Sequence, residues 1–65
     1  MKAKPKLKFT KVGADDWRSD AGGYEIHRAW KGILFFVGRG AMGLPDAKTL
    51  EEAQQIAQDH WSKIP

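Results

Sequence analysis

Tyr24-Glu25-Ile26-His27-Arg28-Ala29-Trp30, then Lys31-Gly32, then Ile33-Leu34-Phe35-Phe36-Val37, is the stretch on which the fold turns. In its first part Tyr24, Ile26 and Arg28 alternate with Glu25, His27 and Ala29, the two-residue period of a strand. Lys31-Gly32 predicts a tight reversal, the glycine supplying the positive φ that a hairpin needs. Ile33 to Val37 is the most apolar run of the chain and is apolar at every position. An ordinary sheet with one buried side does not require that. Two registers are open. A two-residue turn puts Trp30 opposite Ile33, Arg28 opposite Phe35 and Ile26 opposite Val37 on one side. It puts His27 opposite Phe36 and Ala29 opposite Leu34 on the other. A three-residue loop, Trp30-Lys31-Gly32, pairs His27 with Phe35 instead.

Upstream, Leu7-Lys8-Phe9-Thr10-Lys11-Val12 predicts an edge strand that buries Leu7 and Phe9. Pro5 forbids a central strand there, so residues 1–6 are expected to form a mobile basic arm. Gly13-Ala14-Asp15-Asp16 reads as a turn or bulge, after which Trp17 to Ser19 continue the first strand. Asp20-Ala21-Gly22-Gly23 is a second turn. Downstream, the glycine-rich stretch Gly38 to Pro45 reads as a loop. Thr49 then caps a helix, with Glu52 three residues on and Glu51 and Glu52 suited to the positive helix start. Leu50, Ala53, Ile56, Ala57, His60, Trp61 and Ile64 form its apolar stripe. The expected fold is α+β: a three-stranded antiparallel sheet followed by one C-terminal helix on one face (β-β-β-α), a single domain over residues 7–65.

The 65 residues carry no cysteine and a formal net charge of +3. A chain this short has room for one thin core and not also for a deep pocket. Without thiols there is no disulfide and no thiolate metal site, and a cytoplasmic setting is expected. No apolar run follows the basic start, so neither a signal peptide nor a membrane span is expected. Residues 1–12 hold five lysines and no acid, whereas residues 13–65 hold six bases against eight acids. The basicity belongs to the leading segment, which argues against a body that grips a duplex.

Gly22-Gly23-Tyr24-Glu25-Ile26, followed by Lys48-Thr49-Leu50-Glu51-Glu52-Ala53 and a helix ending Asp59-His60-Trp61, resembles a known group. It is similar to small proteins of phages, prophages and bacterial mobile elements that pair a Gly-Gly-Tyr-x-Ile strand with a Thr-Leu-Glu-x-Ala helix. The likeness spans about residues 17–63 of this sequence. It implies the three-strand-plus-helix order and an accessory role, and it carries over no catalytic residue.

Sets of residues that would do chemistry are incomplete. Gly38-Arg39-Gly40-Ala41-Met42-Gly43 has the spacing of a dinucleotide loop, but the next helix opens only at Thr49, beyond Pro45. A flexible connection is the expectation. Two histidines, His27 and His60, do not supply the three or four ligands of a zinc site. Ser19 and Asp20 are neighbours on a strand and point to opposite faces, so they do not share His27 as a catalytic set. No enzyme activity, metal or cofactor is expected.

The informative signal is a shortage of cover. One helix shields one face of the sheet, so some of Leu34, Phe35 and Phe36, with His27, are expected to line the other. Leu7, Phe9 or a second copy of the protein would be the plain way to cover that face. A docking surface, extended by Arg39 and Met42 of the glycine-rich segment, is the functional alternative. The expected function is therefore a phage- or prophage-type binding protein that occupies a surface on a host protein or protein–nucleic-acid complex, in the manner of an inhibitor of host defence. A second reading is a nucleic-acid binder that uses Lys2, Lys4, Lys6 and Lys8 with exposed sheet aromatics. A third is a structural homodimer paired through its sheet.

Overall fold

A computed structural model describes residues 6–29 and 34–64. It shows an antiparallel sheet followed by a C-terminal helix, with five strands among the described residues where three were expected. These are β1 (Phe9–Lys11), β2 (Asp16–Ser19), β3 (Tyr24–Arg28), β4 (Phe35–Arg39) and β5 (Met42–Ala47), and the helix is α1 (Leu50–Lys63). The strands lie side by side in chain order.

Two corrections account for the extra strands. Trp17 to Ser19 do not prolong the first strand; the chain reverses, and Phe9, Thr10 and Lys11 stand opposite Ser19, Arg18 and Trp17. The Val12 N–H donates to the Asp16 carbonyl at 2.9 Å and closes this hairpin. Nor is Gly38 to Pro45 a loop. Gly38 and Arg39 complete β4, Gly40 and Ala41 turn, and Met42 starts β5 opposite Arg39. Gly40 has φ 59°, the left-handed conformation that a two-residue reversal demands. Pro45 is tolerated because β5 is an edge strand and the pairing is irregular there, between Phe35↔Ala47 and Val37↔Leu44.

Between β3 and β4 the observed pairs are Ile26↔Val37, His27↔Phe36 and Arg28↔Phe35. These are the pairs of the two-residue register, and beyond them the Ala29 N–H donates to the Leu34 carbonyl at 2.7 Å. The turn itself lies outside the described residues.

The helix forms where its capping chemistry places it. Thr49 is extended (φ −134°, ψ 159°), and its side-chain oxygen accepts from the Glu52 N–H at 3.0 Å. Helix α1 packs on β3, β4 and β5. Tyr24, Ile26, Phe35, Val37 and Ala47 of the sheet are buried together with Ala53 and Ala57 of the helix. The small alanines let helix and sheet approach closely. Tyr24 is wholly buried, yet its hydroxyl lies 2.5 Å from Nδ1 of His60, and the Trp61 ring meets it edge-on. His60 on the apolar stripe is thus a half-buried, hydrogen-bonded ring.

Leu7 is buried in this same core, and its N–H donates to the Gln58 side-chain oxygen at 2.7 Å. Phe9 also packs against the core cluster. Leu7 and Phe9 therefore both sit on the helix side. Among the described residues nothing lies over the opposite face.

Candidate docking face

The uncovered face is built by alternation. Residues that flank the buried Ile26 and Val37 along β3 and β4 must point the other way: Glu25, His27, Phe36 and Gly38. Their partners on β2 and β5 follow from the pairs Asp16↔His27, Arg18↔Glu25 and Gly38↔Gly43. Two rows result. One runs Val12, Asp16, His27, Phe36, and the other Thr10, Arg18, Glu25, Gly38, Gly43.

Each polar group in these rows has a neighbour across the strands. His27 Nδ1 and Asp16 Oδ1 are in direct hydrogen-bond contact. Arg18 Nη2 stands 3.3 Å from Glu25 Oε1. Both pairs are open to solvent, so they orient side chains more than they stabilise the fold; exposed pairs contribute about 0–1 kcal/mol. Val12, Asp16, Arg18, Glu25 and His27 help to line a shallow hollow of 350 Å³ over β2 and β3. The apolar members stand at the ends of the first row. Phe36 is 45% exposed and Val12 55%.

Beside the Phe36 ring the second row ends in two glycines. A methyl group built on Gly43 meets no atom within 4 Å, so the strand backbone there is bare. A protruding ring beside a flat, side-chain-free floor is a shape that another molecule can clasp.

The sequence-derived site residues separate across the molecule. His27 and Phe36 are neighbours on the open face, as the two-residue register requires. Phe35 is not on it: it is buried under the helix side, its ring 5.8 Å from that of Trp17, because adjacent strand residues alternate faces. Leu34 is half-buried just before β4. Arg39, expected to present itself from a loop, points to the helix side. Its Nε donates to the Gly22 carbonyl at 2.7 Å and its guanidinium lies 5.5 Å from the Tyr24 ring. Met42 is exposed at the tip of the same hairpin and shares Arg39's face, so neither joins Phe36. Lys6 and Lys8 are exposed, and Lys2 and Lys4 lie outside the described residues.

Residues missed by sequence reasoning are Val12, Asp16, Arg18 and the glycine pair. The signal for the glycines was present: Val37-x-Arg39 and Met42-x-Leu44 alternate symmetrically about Gly40-Ala41.

No helix among the described residues is long and apolar enough to cross a membrane. The chain matches no protein-family model, no curated protein and no solved structure.

Proposed function

We propose that this protein acts by binding and not by catalysis, docking on a host protein, or a protein–nucleic-acid complex, through the uncovered face of its sheet. The observation that carries this reading is Phe36, 45% exposed on a sheet face that no other described element covers. An aromatic anchor bordered by paired charges has the composition of an interface centre and its rim. Occupying a surface that another molecule needs is an action such a face can perform. The resemblance to phage and prophage accessory proteins supplies the setting, the cytoplasm of a bacterial host, and inhibition of a host defence system as the outcome.

Size argues against self-pairing through this face. Five strands about 4.8 Å apart and about five residues long give a footprint of roughly 300 Å². A stable interface takes about 800 Å² from each partner. Two such sheets face to face fall well short, whereas a larger, concave partner also reaches the hairpin rims. The protein is accordingly expected to be a monomer in solution. Nucleic acid is a poor match to the open face, which carries the carboxylates of Asp16 and Glu25 beside His27 and Arg18.

The test is capture from lysate of the bacterial host with tagged protein and two variants. Phe36→Asp is expected to lose the captured partner while keeping the fold. Met42→Asp, altering an equally exposed residue on the other face, is expected to retain it. Loss with Met42→Asp alone, or retention with Phe36→Asp, refutes the assignment.

A further inference from the structure

We infer that the edge formed by β1 and the residues leading into it is a second, separate binding surface, for the phosphodiester backbone of nucleic acid. The argument starts from how the cations are used. Every arginine of the body is committed: Arg18 to Glu25, Arg28 to Asp15 at 2.6 Å, and Arg39 to the Gly22 carbonyl. Lys6, Lys8 and Lys11 are all exposed, and among the described residues no carboxylate stands within ion-pairing distance of them. Asp20, whose N–H donates to the Lys8 carbonyl, accepts the Lys8 backbone N–H on its Oδ1 at 3.1 Å.

Position on the sheet adds to this. β1 is an outer strand, with β2 as its one neighbour. Lys8, Thr10 and Val12 stand at the hydrogen-bonded positions facing β2, as the Asp20-to-Lys8 and Val12-to-Asp16 bonds fix. The N–H groups of Phe9 and Lys11 therefore point outward along the edge. Lys6 and Lys8 alternate with Leu7 and Phe9 onto one side of this edge, and Lys11 stands on the other, its Nζ 5.7 Å from the centre of the Trp17 ring, so cations flank the strand on both sides. Uncommitted ammonium groups beside outward N–H donors suit a chain of phosphates, and nothing in the arrangement reads bases. This edge lies three strands away from β4, which carries Phe36, and that distance separates it from the docking face.

The experiment uses the full chain with fluorescein-labelled random 20-mers, single-stranded and duplex, followed by anisotropy from 20 to 200 mM NaCl (on the order of the range over which such contacts are lost). Three lysines give an expected slope of log affinity against log salt of about −2 for single strands and about −2.7 for duplex. Replacing Lys6, Lys8 and Lys11 together by Gln is expected to remove that slope and leave the melting temperature unchanged. Phe36→Asp is expected to bind both probes as the parent does, so failure of the docking face and failure of this edge give different results. No binding at the lowest salt overturns the inference. So does undiminished binding by the triple variant, or competition by polyglutamate as effective as by unlabelled oligonucleotide.

Discussion

Phe35 and Phe36 are chemically identical neighbours, and the fold assigns them opposite fates; replacing each by Ala measures that assignment. Phe35 is buried against Trp17 and stands opposite Arg28 and Ala47. Removing a buried Phe side chain costs about 3–5 kcal/mol, the lost transfer energy plus the cavity left behind. A domain of this size has a total stability of roughly 3–10 kcal/mol, so Phe35→Ala is expected to be largely or wholly unfolded. Phe35→Leu keeps most of the volume and is expected to lose about 1–2 kcal/mol, giving a transition that can still be measured. Phe36 leaves nearly half its surface in water already. Phe36→Ala is expected to lose no more than about 1 kcal/mol. Urea denaturation followed by circular dichroism gives all three values on one scale. If Phe36→Ala proves as damaging as Phe35→Ala, or the order inverts, the β3–β4 register has slipped by one residue and the open face is misassigned.

Gly22 and Gly23 offer a second comparison. Both have positive φ, 77° and 73°, so Ala at either costs about 1–2 kcal/mol in backbone strain. At Gly22 the added methyl also comes within 2.7 Å of the wholly buried Tyr24 ring and 3.0 Å of Trp61, whereas at Gly23 it meets nothing. Gly22→Ala is expected to be the worse by at least about 1 kcal/mol in thermal melts; equal losses contradict the packing of Tyr24. Thr49→Ala removes the acceptor for the Glu52 N–H and is expected to lower stability by about 1 kcal/mol, with Thr49→Asn close to the parent.

Much of this fold can be read directly from the chain, and the unreadable parts have physical causes. The helix was legible because Thr49 and the Leu50-to-Ile64 stripe report local rules that packing then enforces. The β3–β4 pairing was legible down to two registers. The sequence did not choose between them because residues 33–37 are apolar at both parities, so either slip buries an aromatic ring. β5 was hidden by Gly43 and Pro45, residues that disfavour strands in general but are harmless at an edge beside an irregular pairing. The first hairpin was hidden by its brevity: three- and four-residue strands show too little alternation to reveal a reversal. Arg39 was misread for the same reason as β5, since a residue placed in a loop has no assigned face. Of the candidate site, His27 opposite an aromatic ring was legible in either register, but that the ring is Phe36 and not Phe35 comes from the structure.

Site-specific photocrosslinking in the bacterial host addresses the docking face most directly. With p-benzoylphenylalanine in place of Phe36, irradiation is expected to give one discrete adduct with a host protein, and the same probe in place of Gln55 on the exposed side of the helix is expected to give none. An adduct formed from the helix position while position 36 stays unreacted would contradict the account.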